Sequence, residues 1–207
     1  MTALFSTAYF PPTAYFAALQ QHDHVVIEAK ETFPKQTYRN RMDIMTANGV
    51  RCLTVPVLRS NHSRTEEVGI DYRDRWNVIH LRTLTAAYAA SPYFLYYKDD
   101  LEVLLMQPHP NLIALNQAIL QWLLKCLKID CTVSLTTEWT APQETPSDGY
   151  HDFRTTFSPK IPYPTDGFKP YYQVFSDRQP FAPNLSILDL LFNLGPEAKE
   201  YLKNITK

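Results

Sequence analysis

The chain has 207 residues, a net charge of −1 and an apolar fraction of 45%. That length suits one domain with a core of its own. The balanced charge argues against a nucleic-acid footprint, and no apolar run approaches the ~18 residues that would span a bilayer.

The opening Met1-Thr2-Ala3-Leu4-Phe5-Ser6-Thr7 lacks the basic and long apolar regions of a signal peptide, so a cytoplasmic location is the default expectation. Ala3–Ser6 reads as a strand. Tyr9-Phe10-Pro11-Pro12 then opens a helix running to about Gln21, since proline is tolerated in a first helical turn. Val25–Ile27 reads as a second strand, which makes a small βαβ unit. Next comes a hairpin, Thr37–Ile44 and Val50–Val57 around Asn48-Gly49. Asn-Gly predicts a two-residue type I′ turn. In that register Ala47 faces Val50, Ile44 faces Leu53, Met42 faces Val55 and Asn40 faces Val57. One face is then apolar, and the other carries Arg39, Arg41 and Asp43. Arg41 falls opposite Pro56, which has no N–H, so a break or bulge in the ladder is expected there.

Asp71 to about Ala90 reads as a helix whose inner face carries Trp76, His80, Leu84 and Tyr88. Ser91-Pro92 ends it. A short helix starts at Asp99-Asp100 and stops before Pro108. Asn111–Lys128 is the clearest helix, with Leu112, Leu115, Ile119, Trp122, Leu123 and Cys126 as its stripe and Asn116 beside it. Cys131–Thr136 reads as a strand. Eight of the 16 prolines then fall between Pro142 and Pro183. This stretch reads as an extended arm with little regular structure, too aromatic to be wholly disordered. Ser186-Ile187-Leu188-Asp189 fits a capping box, with Leu185 and Leu190 as a staple. Gly195 stops that helix and Pro196 begins another through about Leu202.

The fold expected is α/β: a mixed sheet with an N-terminal strand-helix-strand and a β-hairpin, packed by helices. Residues 1–139 form the core. Residues 140–207 form a Pro- and aromatic-rich arm, packed on the same domain and ending in one or two helices.

Several residues are candidates for chemistry. His80 has the pKa range of a general acid or base, although a core histidine would occupy the same helix face. Arg39 and Arg41 share a strand face and can clamp a phosphate or carboxylate; the alternative is a solvated face with Asp43 as partner. Asn40 and Asn116 are amides on or beside apolar faces, so they organise a site or bond to backbone. Tyr9, Phe10 and Tyr15 surround a strand-to-helix turn, a common ligand position in α/β folds. His151-Asp152 with Arg154 is a polar knot in the arm that can reach over a cleft. His22-Asp23-His24 has no third ligand at close spacing, so no metal site is assigned. With only five glycines, the chain has no phosphate-cradling G-x-G-x-x-G or G-x-x-x-x-G-K-[ST], and no G-x-S-x-G nucleophile motif; no cofactor is named. Cys52, Cys126 and Cys131 are odd in number, lack metal-like spacing and are read as structural.

The order of these segments resembles the WbqC-like family. The resemblance rests on Tyr9-Phe10-Pro11 with Tyr15-Phe16, Asp23 before Val25-Val26, Tyr38-Arg39-Asn40-Arg41 and Leu53-Thr54-Val55-Pro56-Val57. Trp76 and His80, Tyr88, Ser91-Pro92-Tyr93-Phe94, and Leu112 with Asn116 complete it, over roughly residues 3–136. The chain departs at Thr7-Ala8, where Gln-Pro is expected, and at Pro12, where tryptophan is common. The resemblance implies a part in bacterial O-antigen or surface-polysaccharide biosynthesis, as a glycine (aminoacyl) or acyl transferase acting on an amino sugar. It supplies no settled catalytic residues. From the residues, Arg39 and Arg41 would hold an anionic partner such as a nucleotide-sugar or activated amino acid. His80 would deprotonate the attacking amine, Asn40 or Asn116 would orient it, and Tyr9 and Tyr15 would stack on sugar or base. Two other classes stay open: a non-catalytic partner-binding protein, and a nucleotide-dependent ligase or nucleotidyltransferase.

Overall fold

The computed structural model describes residues 2–141 and 150–205. In chain order the first elements are β1 (Thr2–Ser6), α1 (Thr13–Leu19), β2 (His24–Glu28), β3 (Arg41–Thr46) and β4 (Gly49–Thr54). After them come β5 (Val57–Leu58), β6 (Gly69–Ile70), α2 (Trp76–Tyr88), α3 (Phe94–Met106) and α4 (Leu112–Leu127). The chain closes with β7 (Thr132–Leu135), β8 (Tyr150–Asp152), α5 (Ile187–Leu194) and α6 (Ala198–Ile205).

The architecture is mixed α/β. Four strands form one sheet in the order β7-β2-β1-β8, and every pairing in it is parallel. Ala3, Leu4 and Phe5 of β1 are all buried, the continuous apolar run expected of an inner parallel strand. β1, α1 and β2 are the predicted βαβ unit, with Thr2 paired to His24 and Ser6 to Glu28. β8 was not foreseen. It is a three-residue strand in the segment read as irregular, and it pairs Thr2–Leu4 with Tyr150–Asp152. Its signal is too short for periodicity, and only the open edge of β1 makes it a strand. Pro142 and Pro146, the first two prolines of the arm, lie outside the described residues.

The hairpin forms, but two residues out of the expected register. Thr46 pairs with Gly49, Met45 with Val50, Ile44 with Arg51, Met42 with Leu53 and Arg41 with Thr54. The cause lies in the turn. Gly49 takes φ +99° while Asn48 does not enter the left-handed region. The Thr46 hydroxyl donates to Gly49 O at 2.7 Å and accepts from Asn48 N at 3.3 Å. Ala47 and Asn48 become the loop, and Gly49 follows it in the manner of a bulged turn. A slip of two keeps each side chain on its face, so Met42, Ile44, Leu53 and Val55 are buried as expected. Arg41 therefore meets Thr54 and not Pro56. No ladder break occurs at that pair, because Pro56 lies past the end of β4, where its carbonyl accepts from Asp71 N.

The helices follow their sequence faces. Trp76, His80, Leu84 and Tyr88 are buried on α2. α3 begins at Phe94, earlier than the acidic pair suggested, because Phe94, Tyr97 and Leu101 already form its inner face. On α4 the stripe is buried, except that Trp122 and Cys126 stay half-buried. Ser186 caps α5, accepting from Leu188 N. The Asp189 carboxylate does not complete a capping box, because it is drawn to the arm, where Tyr171 and Gln173 donate to it at 2.6 and 2.8 Å.

Gly195 ends α5 at φ +52°, and a Cβ there would lie 2.6 Å from the Tyr93 ring. Gly195→Ala is expected to cost about 2 kcal/mol, combining overpacking with a left-handed backbone. Gly49→Ala, also at positive φ but with open space around it, is expected to cost about 1 kcal/mol. Thermal denaturation of the two variants checks the ranking.

Candidate functional site

Because all four strands of the main sheet are parallel, their carboxyl ends share one edge, the usual place for ligands in open α/β sheets. Ser6 ends β1, Glu28 ends β2, Thr136 follows β7 and Arg154 follows β8. Arg154 is buried and pairs in two directions. Its Nε and Nη2 donate to the Asp152 carboxylate at 3.0 and 2.6 Å, and its Nη1 donates to Glu28 Oε2 at 2.8 Å and Thr140 O at 2.8 Å. Glu28 is fully buried. Its Oε1 accepts from Lys30 N and the Thr136 hydroxyl. A buried carboxylate with this many donors is the arrangement that compensates the loss of water.

Arg39 enters the same edge from the segment before β3. Its Nε donates to Glu31 Oε1 at 2.7 Å and its Nη2 to Ser6 Oγ at 2.5 Å. Burial pushes the Glu31 carboxyl up, and the nearby Arg39 guanidinium opposes that rise. Among the described residues Arg39 Nη1 has no hydrogen-bond partner. Arg39 and Arg154 line a small cavity of about 10 Å³ with Ser6, Thr7, Tyr38 and Phe157. Asn116 approaches from α4: its Nδ2 donates to Thr7 Oγ1 at 3.1 Å and Arg39 O at 2.8 Å. Its Oδ1 is buried and makes no hydrogen bond among the described residues. Asn116 lines a second cavity of about 10 Å³ beside Thr7, Ala8 and Tyr15. The Thr7-Ala8 turn thus lies between an arginine donor and an unpaired amide oxygen. Each cavity has room for about one water-sized group.

The turn continues into Phe10, which takes φ +41° although fully buried. A bulky residue there is strained, and such strain gathers at functional turns. The C-terminal segment holds it in place. Thr13 N donates to Leu185 O, Ala14 N to Asn184 Oδ1, Ile187 N to Pro11 O and Ser186 Oγ to Phe10 O. The first two orphan N–H groups of α1 are thus satisfied by residues 170 or more positions away.

The structure divides the residues singled out from the sequence. Arg39, Asn116 and Tyr15, whose hydroxyl donates to Ser6 O, meet at the end of β1. Tyr9 and His80 form a separate buried pair: the Tyr9 hydroxyl lies 2.8 Å from His80 Nδ1, and the Thr54 backbone is close enough to oppose part of the effect of burial on the ring. With Tyr9 donating, Nδ1 is the acceptor and Nε2 carries the proton. Burial pushes the His80 pKa down to about 4. Nδ1 is committed to Tyr9, so a base role at that nitrogen requires this bond to open. Asn40 donates to Val55 O and holds the hairpin. Arg41 lies on the hairpin's outer face, and its buried Nε makes no hydrogen bond among the described residues. His22 and His24 go separate ways, to His151 and to Ser134. Among the described residues no three His, Cys, Asp or Glu side chains are grouped as a metal ion requires. All three cysteines are free, and Cys52 is exposed.

Sequence reasoning passed over Ser6, Thr7, Glu28 and Glu31. Only their position at strand ends sets them apart, and that is visible only once β7 and β8 are seen to flank β1 and β2. Arg154 with Asp152 had a signal, as a polar knot amid an aromatic arm.

Comparison with known proteins agrees with the geometry in extent. The WbqC-like protein family matches residues 7–160, from the β1–α1 turn to just past Arg154. An uncharacterized protein of Mycobacterium tuberculosis is 30% identical over 229 residues, covering 97% of this chain and 96% of its own length. No solved structure matches. No helix among the described residues is long and apolar enough to cross a membrane.

Proposed function

Because this chain belongs to the WbqC-like protein family, we propose that it is an acyl or aminoacyl transferase acting on an amino sugar in surface-polysaccharide biosynthesis. The observation that carries the proposal is the meeting of Arg39, Arg154 and Asn116 around the strained turn at the carboxyl edge of a parallel sheet. In this reading Arg39 attracts an anionic group, the activated carboxyl of the acyl donor or the phosphate of a nucleotide-sugar acceptor, and the water-sized cavity beside it widens to admit that group. Asn116 Oδ1 accepts a hydrogen bond from the reacting group, and Tyr15 shapes the wall beside it. The amine nitrogen forms the new bond to the acyl carbon, the leaving group departs with the bonding pair, and the amine gives up one proton. His80 is neutral above about pH 4 and takes that proton once its bond to Tyr9 opens. Arg41, on the outer face, meets the donor's distal part, while Asn40 and Tyr9 hold the walls.

Thermal-shift measurement with nucleotide-sugars and aminoacyl phosphates tests the reading. A stabilising ligand is expected for the wild type, and Arg39→Ala is expected to abolish the shift. Stabilisation unchanged in Arg39→Ala removes the guanidinium from the account.

A second reading has its own observation. Trp139, Ile161 and Tyr172 are exposed, and His80 is buried with Nδ1 bonded to Tyr9. A non-catalytic protein that holds a biosynthetic partner would show these features. Turnover by the purified chain alone separates the two.

A further inference from the structure

Beside the sheet-edge cluster lies a larger groove of about 320 Å³, between the outer face of the hairpin and the arm. Tyr38 and Asp43 line it from the hairpin side, Phe157, Tyr163 and Thr165 from the arm, and Asn184 from the segment before α5. Tyr38 and Phe157 also line the small cavity of Arg39 and Arg154, so the two spaces share a wall. Phe157 and Tyr163 are stacked, with centroids 5.7 Å apart. Among the described residues Asp43 is the only Asp, Glu, Lys or Arg lining the groove. It forms no ion pair among the described residues. Arg41, two positions back on the same strand face, neither pairs with it nor lines the groove. Burial and the neighbouring Asp43 push the Tyr38 phenol up to about 12, so Tyr38 adds no charge.

One carboxylate in a partly dry, largely apolar groove is the chemistry that selects an organic ammonium over a neutral hydroxyl, because its attraction is stronger away from bulk water. We infer that this groove holds the acceptor's amino group as an ammonium before reaction and that Asp43 is its specificity determinant; the word acceptor rests on the transferase reading, in which the ammonium first gives up one proton to solvent and then attacks as the neutral amine. The groove is large enough for a monosaccharide. It abuts the cavity of Arg39, so one occupant can reach toward the donor cluster across Tyr38 and Phe157.

Glucosamine and glucose differ at one substituent, an ammonium against a hydroxyl, and serve as matched probes. In NMR titrations of the full chain at constant ionic strength, glucosamine is expected to shift the amides of Thr165 and Asn184 and to bind at least about tenfold tighter than glucose, the scale of one charge-assisted hydrogen bond. Asp43→Asn, a near-isosteric change, is expected to erase the preference, while Arg39→Ala keeps it. Equal binding of the two sugars, binding of neither, or an undiminished preference in Asp43→Asn overturns the inference. Should Asp43→Asn lose its dispersed spectrum, Tyr163→Ala takes its place: it removes part of the aromatic wall and is expected to weaken glucosamine binding, and unchanged affinity overturns the inference. The donor test with Arg39→Ala is read separately, so either result can fail alone.

Discussion

Arg154→Met is expected to destabilise the protein by about 3–5 kcal/mol, the cost of breaking a buried ion pair from one side. The guanidinium is nearly inaccessible, its side chain 3% exposed, and its partners Glu28 and Asp152 are 0% and 4% exposed. Removing it leaves two carboxylates out of water with no cation between them. It also removes the side-chain link between the end of β8 and Glu28 of β2 and frees Thr140 O, which the same Nη1 engages. Against a typical total stability of about 5–15 kcal/mol this is a large fraction. Urea denaturation measures the loss. Adding Glu28→Gln to Arg154→Met is expected to recover part of it, because one of the two buried carboxylates is then neutral. A shift below about 0.5 kcal/mol for Arg154→Met, the range of ordinary surface changes, would mean that the cluster is solvated and not buried.

A second large effect is expected from pH through His80. The folded ring has a pKa of about 4, whereas an unperturbed histidine titrates near about 6.5. Between these values the unfolded chain binds the extra proton and the folded chain does not. Stability from this group is therefore complete above about pH 6.5 and declines as pH falls toward 4. The difference of roughly 2.5 pH units corresponds to about 3 kcal/mol. The protonated ring would also lose its acceptor at Nδ1, and with it the bond from the Tyr9 hydroxyl. Denaturation free energies of wild type and His80→Gln across pH 4–7 test this. The wild type is expected to lose stability more steeply toward acid, while other carboxylates contribute equally to both. Parallel profiles would show that His80 titrates alike in the folded and unfolded chains.

The two effects belong to different parts of the molecule. Arg154 ties strands together at the edge where the donor is proposed to bind. His80 pins the β1–α1 turn from behind, through Tyr9. Loss of either is expected to loosen the same turn, so activity measured on these variants needs stability measured beside it.

Much of the fold was legible in local patterns. The βαβ start, the helix faces of Trp76–Tyr88 and Leu112–Leu127 and the apolar side of the hairpin all rest on periodicity, which short-range sterics and burial dictate together. The WbqC-like resemblance was legible for a related reason, since it lies in the order of those segments. The hairpin register was only half legible: period-two alternation set the faces, but the Thr46 hydroxyl chose the loop, a side-chain bond that no propensity expresses. Among the site residues, Arg39, Asn116 and Tyr15 had signals as a charge or amide beside apolar faces and a tyrosine at a turn. The signal did not say that they would meet.

That meeting was decided by tertiary structure alone. β8 becomes a strand only because β1 offers an open edge, and only then do Asp152 and Arg154 arrive over Glu28. α1 is capped by Asn184 and Leu185, and the Asp189 carboxylate serves Tyr171 and Gln173 in place of a capping box. Each is a contact between positions far apart in the chain, made where a buried polar group must find a partner once water is excluded. Sequence by itself determined which side chains are apolar, where helices and turns fall and which faces they present. It could not determine which buried charges compensate one another, because that depends on which strand ends come to lie together.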